Sequence, residues 1–395
     1  MEGGDTLLTP RILRAPMTLR AFVTGGTGFV GRRVVRRLLD GGWKVRALVL
    51  EAEGNRLPED TNLEAAVGDV TRPETIRGRM DDVDGVFHLA ALVESWVRKP
   101  EEFARVNVTG TDHMIDEALR ASVHRFVFTS SLSGIGVTPG VRIREDSPPG
   151  KVFGAYEESK AEAERHVAAA YRQRGLPAIT LIPGVIMGPG DTRNTGKYLL
   201  SFVNGEWPGT FAEESVLPVV DVDDVARAHL QAYERGRVGE RYIISGEDRK
   251  WGDLIRVASS ISGTPVPSRH IGGRALWLAS RAGDAWAHVT RASPRLPAWL
   301  ADFLLTGAMM DNGKSIRELG MTYRPIEGTI RDAIEWFREE GLFPTRSAAE
   351  TAGRLVQPIE NPPTSIERDL GSRTPDERTP ASDEPRRPKR REPPS

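Results

Sequence analysis

The side chains best spaced to do chemistry are Tyr156 and Lys160, in the run Tyr156-Glu157-Glu158-Ser159-Lys160. Four residues apart on a helix, the two share one face, and an ammonium beside a phenol lowers the phenol pKa from about 10. A phenol poised in this way takes a proton from an alcohol, or gives one to a carbonyl, as hydride moves. A second constellation is Val23-Thr24-Gly25-Gly26-Thr27-Gly28-Phe29-Val30-Gly31. Gly25 permits a tight turn, Gly28 lets the backbone approach a pyrophosphate, and Gly31 lets a following helix pack closely on the preceding strand. The pyrophosphate would sit at that helix N-terminus, where free N–H groups over Thr27 to Gly31 favour negative charge.

Both constellations need a scaffold, and the chain supplies one. Short β-rich apolar runs at Leu19–Thr24, Val45–Leu50, Leu63–Val67, Gly85–Leu89, Phe126–Ser130 and Ile179–Pro183 read as strands. Helical patterns at Val30–Leu39, Asp112–Ala121 and Ser159–Arg174 lie between them, each long enough for a right-handed crossover. The rhythm predicts an α/β fold with a doubly wound parallel sheet of the Rossmann type and a smaller C-terminal substrate lobe. In that lobe a helix is expected at Val222–Glu234, a strand at Arg241–Ser245 and a last helix around Gly328–Glu340.

Composition narrows the partners. Of 395 residues, 54 are Lys or Arg and 55 are Asp or Glu, a net charge of -1 that offers no global field for nucleic acid and favours a small-molecule substrate. With no cysteine there is no thiol nucleophile or disulfide framework, which suits a cytoplasmic protein, and the seven histidines lack metal-ligand spacing, so no metal is expected. The longest uncharged run, Leu176–Gly190, is broken by proline and glycine, so no transmembrane segment is expected.

The glycine run, spaced as TGxxGxxG, resembles that of the extended short-chain dehydrogenase/reductase family, the NAD-dependent epimerase/dehydratase type. The resemblance extends through Gly68-Asp69-Val70, His88-Leu89-Ala90-Ala91, Asn107-Val108-Thr109-Gly110-Thr111, Thr129-Ser130-Ser131, the Tyr156/Lys160 pair 25 residues after Ser131, and Ile182 to Gly190. It covers roughly residues 19 to 341. It implies that Asp69 and Val70 meet the adenine, that Leu89, Ala90, Ala91 and Asn107 lie along the cofactor, and that Pro183 and Val185 pass near the nicotinamide. Lys160 would hold the ribose hydroxyls and Ser131 the substrate oxygen, where charge develops. The same resemblance implies a homodimer built on paired helices.

Departures from the family pattern narrow the activity. An acidic residue after the second strand binds a ribose 2′-hydroxyl, whereas an arginine accommodates a 2′-phosphate. Here Leu50 is followed by Glu51, with Arg56 able to swing in, so the cofactor is NAD(P) with a slight lean to NAD. Leu132-Ser133 replaces the Asp-Glu of sugar dehydratases, which argues against water loss. No arginine occurs from Tyr198 to Val225 to hold a nucleotide-sugar diphosphate, Leu217 standing near that position. The reading is an NAD(P)-dependent oxidoreductase interconverting alcohol and carbonyl, close to the dihydroflavonol-reductase and sterol-dehydrogenase-like branch. Its alternatives are a sugar epimerase and a nucleotide-sensing protein without catalysis.

The chain divides into an N-terminal extension (1–17), the cofactor-binding domain (18–190), the lobe (191–344) and a tail (345–395) too poor in apolar residues to fold. Within that tail the basic cluster Arg386–Arg391 reads as solvated rather than phosphate-binding. The lobe carries a tryptophan-rich insertion at 271–310, with Trp277, Trp286, Trp299 and Phe303 among arginines. It is read as burying its aromatics. A lid over an apolar substrate and a membrane-surface contact are the alternatives.

Overall fold

The computed structural model describes residues 18–343. The predicted extension (1–17) and tail (345–395) lie outside the described residues. In chain order come β1 (Arg20–Thr24), α1 (Gly31–Asp40), β2 (Lys44–Val49), β3 (Leu63–Val67), α2 (Pro73–Ile76) and β4 (Gly85–His88). A helical stretch follows, α3 (Glu101–Phe103) passing through a π-helical turn at Ala104–Thr109 into α4 (Gly110–Arg120), and then β5 (Arg125–Thr129) and β6 (Arg142–Ile143). The chain goes on through α5 (Ala155–Arg174), β7 (Ala178–Pro183), β8 (Val185–Met187), α6 (Thr195–Val203), β9 (Val216–Asp221), α7 (Val222–Arg235), β10 (Arg241–Ile244) and β11 (Glu247–Lys250). The last elements are α8 (Trp251–Ser262), α9 (Gly273–Thr290), α10 (Ala298–Thr306), β12 (Met309–Met310) and α11 (Ile326–Glu339).

Seven strands form a parallel sheet in the order β10-β7-β5-β4-β1-β2-β3. The order reverses between β1 and β4, and the carboxyl ends of the strands at such a reversal are where open α/β sheets bind ligands. On one face, Val34, Val35 and Leu38 of α1 pack with Val225, Ala228 and Ala232 of α7. On the other, Met114 and Ile115 of α4 and Ala163 and Val167 of α5 cover Phe22, Phe126 and Phe128. The doubly wound fold is as predicted, with strand bounds within a residue or two. Although α7 and β10 fall beyond residue 190, they return to complete this sheet.

Two helices begin earlier than their residue types suggest. The expected start of α5 at Ser159 lies four residues inside it, because the extended Gly154 (φ -168°) releases the chain into a helix that runs to a left-handed Gly175 (φ 74°). The β-branched residues in Arg105-Val106-Asn107-Val108-Thr109 and the glycine after them have poor helix propensity, and packing overrides it. The lobe has its own core, where Phe202, Phe211, Trp251, Leu254, Phe303 and Phe337 gather around the sheet β11-β9-β8.

The tryptophan-rich insertion forms α9 and α10, and the expectation that it buries its aromatics holds for only half of them. Phe303 is buried and Trp299 half-buried, but Trp277 and Trp286 are 43% and 68% exposed. The buried stripe of α9 is narrow, consisting of Leu276, Ser280 and Ala287. No helix among the described residues is long and apolar enough to cross a membrane.

Candidate active site

All strands of a parallel sheet point the same way, so the residues that follow them emerge along one edge. Gly25 follows β1, Glu51 follows β2, Asp69 follows β3, Leu89 to Ala91 follow β4, Ser131 follows β5, and Pro183 and Val185 bracket the end of β7. Asn107, Tyr156 and Lys160 arrive from helices packed beside that edge.

The glycine turn is sterically compelled. Gly25 has φ +69°, and a Cβ there would lie 2.8 Å from the Ala90 nitrogen. A Cβ on Gly31 would overlap the Gly25 carbonyl oxygen, whereas one on Gly28 would meet only that oxygen, at 3.1 Å. Behind the turn, Ala90 N donates to Thr24 Oγ1 (3.0 Å), which also bonds His88 Nδ1 (2.7 Å). His88 Nε2 reaches Thr111 Oγ1 (3.0 Å). Burial, with the Lys160 charge, holds His88 down to about 3, so the ring is a neutral brace between β1, β4 and α4. A cradle of glycine backbone closed on its inner side by Ala90 and opening onto a helix N-terminus fits a dinucleotide pyrophosphate.

Around the cradle, the structure separates residues that face it from residues that hold it. Asp69 Oδ1 accepts from both Thr71 N (2.8 Å) and Thr71 Oγ1 (2.9 Å), which fixes the carboxylate at the end of β3. Val70 is buried against Gly110, at the start of α4. Asn107 commits its amide to the protein. Its Oδ1 accepts from Leu92 N (2.7 Å), and its Nδ2 donates to Ser159 Oγ (2.8 Å) and Leu92 O (3.2 Å). Glu51 is exposed and opens a 3-10 turn, Glu51–Arg56, that sends Glu53 back instead. Thr27 Oγ1 donates to Glu53 Oε2 (2.9 Å), and Arg56 Nη1 donates to Glu53 Oε1 (3.2 Å). Sequence reasoning missed Glu53 because a carboxylate two residues further on reaches the glycine turn only through that 3-10 turn.

At the other end, Ser131 starts the turn Leu132–Gly134 with its side chain accepting from Ser133 N. Tyr156 stands edge-on to Phe103, ring centroids 6.0 Å apart. The expected lowering of its pKa is not found. Burial and the neighbouring Glu157 push the phenol above its ordinary value, with the Ser131 hydroxyl offsetting part of the rise. The reason is where Lys160 points: its ammonium donates to the Thr129 carbonyl (2.7 Å) and lies 4.6 Å over the Phe128 ring. Burial lowers Lys160 to about 8, against the opposing pull of Glu164.

Glu164 is the second residue missed, although its spacing was a usable signal, since Tyr156, Lys160 and Glu164 recur every four residues along one helix face. It is buried, accepts from the Ser130 hydroxyl and pairs with Arg241 Nη2 at 2.7 Å. Arg241 in turn donates to Gly134 O (3.2 Å) and Glu145 O (3.0 Å), so the ion pair clamps the turn that carries Ser131. Just ahead of α5, Trp299 Nε1 donates to Ser95 O (2.7 Å), and a Cβ on Gly154 would lie 3.1 Å from Trp299 Cβ. Phe153 meets Phe303 edge-on at 5.8 Å. Leu217 is buried in β9.

Comparison with known proteins agrees with this architecture. The profile of the NAD dependent epimerase/dehydratase family matches residues 21–245. A Synechocystis sp. protein named as a dihydroflavonol 4-reductase is 34% identical over 339 residues, which cover 82% of this chain and 96% of that one. Sterol demethylase protein B of Methylococcus capsulatus is 32% identical, covering 82% of this chain and all of its own. Among solved structures, that of gox2253 superposes with a TM-score of 0.72 at 34% identity, covering 82% of this chain and 99% of that one. A glycine cradle at the sheet's reversal, a Tyr/Lys pair beside the end of β5 and these likenesses have one explanation: the chain belongs to the NAD dependent epimerase/dehydratase family, whose members are NAD(P)-dependent reductases, dehydrogenases and epimerases.

Proposed function

We propose that this enzyme interconverts a carbonyl and an alcohol on a small apolar substrate. The observation that carries the reading is the aromatic packing at the start of α5, where the Tyr156 ring meets Phe103 edge-on and Gly154, two residues before it, lies against Trp299. When bound, the nicotinamide gives or takes hydride. A phenol held protonated by burial is the form that hands a proton to a carbonyl oxygen, which favours the reductive direction. Ser131 hydrogen-bonds that oxygen. Lys160 holds the ribose, Asp69 and Val70 flank the adenine, and Asn107 acts by holding the segment after β4 against α5. The sterol and flavonoid words in the relatives' names support an apolar substrate, and a buried Leu217 argues against a nucleotide sugar.

The test is to supply NADH or NADPH with a panel of hydrophobic ketones and, separately, with nucleotide sugars. Stoichiometric cofactor oxidation with a ketone is expected. Epimerised sugar without net cofactor turnover would overturn the reading in favour of an epimerase, and cofactor binding with no conversion of any kind would favour a sensor.

The lean to NAD now rests on Glu53. A carboxylate accepts from a ribose 2′-hydroxyl and repels a 2′-phosphate, and this one is oriented by Thr27. Glu53→Gln should therefore raise the NADP/NAD affinity ratio roughly tenfold, about 1.4 kcal/mol, and Glu51→Gln much less. Calorimetric titration of both cofactors decides it, and equal shifts in the two variants would remove Glu53 from this role.

A homodimer is supported by α4 and α5, which lie side by side and are tied by His166 Nδ1 to Asp112 Oδ1 (2.8 Å), as half of a four-helix bundle requires. The cysteine-free sequence supports a reducing, cytoplasmic location.

A further inference from the structure

Helix α9 presents to solvent a face that a water-soluble surface would not be expected to keep bare. The three most exposed large apolar side chains among the described residues are Val289 (77%), Trp286 (68%) and Leu278 (62%), all on this helix. At 100° per residue, Leu278, Ala282, Trp286 and Val289 fall on one stripe with Ala275, Ala279 and Ala285. Every one of these residues is exposed and none is charged. The opposite stripe, with Leu276, Ser280 and Ala287, is the one that packs inward.

Charge distinguishes the candidate occupants. From Thr264 to Pro297 there are five arginines (269, 274, 281, 291 and 295) and one acidic residue, Asp284, so this segment carries a net +4 in a chain of net -1. Asp284 faces inward, accepting from Ala298 N (3.1 Å). Arg281 is partly neutralised by Asp302 (3.0 Å) and stacks on Trp277 at 3.9 Å, while Arg274, Arg291 and Arg295 are exposed. A second copy docking by the same face would set two positive segments against each other. An apolar stripe with tryptophan at its edge and arginine beside it is the pattern of a helix lying in the surface of an anionic bilayer.

We propose that α9 docks this protein on anionic lipid membranes, with Leu278, Trp286 and Val289 inserted among the acyl chains and Arg274, Arg291 and Arg295 on the headgroups. The docked helix belongs to the same hairpin as Trp299, which touches the segment leading into Tyr156. At its far end, the His288 ring lies 6.2 Å from Trp96, in the segment that follows β4. The active-site mouth is therefore bordered by the hairpin that would rest on the membrane. The docking stands whatever the substrate is.

The experiment is co-sedimentation of the full-length chain with vesicles of phosphatidylcholine alone and of phosphatidylcholine mixed with phosphatidylglycerol. Binding to the mixed vesicles is expected. The Leu278→Glu/Trp286→Glu variant should weaken it at least roughly tenfold, through lost apolar burial. Arg274→Gln/Arg291→Gln should weaken binding to the anionic vesicles alone, roughly fivefold for each arginine removed. Cofactor affinity, measured on the same samples, should stay unchanged, which shows that the variants are folded. The basic residues near the C-terminus are common to all variants, so a difference between variants reports α9. Absence of vesicle binding by the wild type, or equal binding by all variants, would overturn the proposal. So would a solution dimer that the Leu278→Glu/Trp286→Glu variant splits while vesicle binding is unaffected, for the face would then belong to a second copy.

Discussion

Tyr156→Phe is expected to lower kcat by about 10²- to 10⁴-fold, the usual contribution of a general acid or base, with cofactor Kd and Tm nearly unchanged. The substitution removes one hydroxyl and keeps the ring, so the edge-on packing against Phe103 survives. What is lost is the proton donor beside the Ser131 hydroxyl. A loss confined to kcat would place the phenol in the transition state rather than in binding. Full activity in this variant would assign the proton transfer to a group other than Tyr156. Turnover on an accepted substrate, together with cofactor titration by fluorescence, provides both readings.

Much of this site was legible because a parallel sheet turns sequence order into spatial order. Once short apolar runs alternate with helices, the residues after each strand must share an edge, and Gly25, Asp69, Ala90 and Ser131 do so. What could not be read depends on geometry finer than periodicity. The acid nearest the end of β2 is Glu51, but a 3-10 turn delivers Glu53. Asn107 lies in a motif that implied a cofactor contact, yet its amide is consumed by Leu92 and Ser159. The exposure of Trp286 was invisible for a different reason: apolar residues at helical spacing are ordinarily the buried ones, and only the narrow contact stripe of α9 reverses that inference.

The sequence casts Lys160 as the cation that lowers the tyrosine pKa, and its actual contacts change what its loss should do. The ammonium is buried, donates to the carbonyl of Thr129 and sits over Phe128, next to the clamp formed by Glu164 and Arg241. Lys160→Ala should therefore cost stability as well as activity, about 2–4 kcal/mol from an orphaned carbonyl and a cavity. Lys160→Met keeps most of the volume, so it should recover much of the Tm. Neither variant restores the charge, so in both kcat should fall and cofactor Kd should rise together. The pH dependence separates charge from shape. Burial lowers the pKa of a cation, so the charged form of Lys160 exists below about 8 and is lost as pH rises through that value. In the wild type kcat/KM should decline above about pH 8, and in Lys160→Met that alkaline limb should vanish, leaving a flat, depressed profile. An identical limb in the Met variant would assign the titration to another group, and Lys160 would then be a packing residue whose charge the reaction does not use.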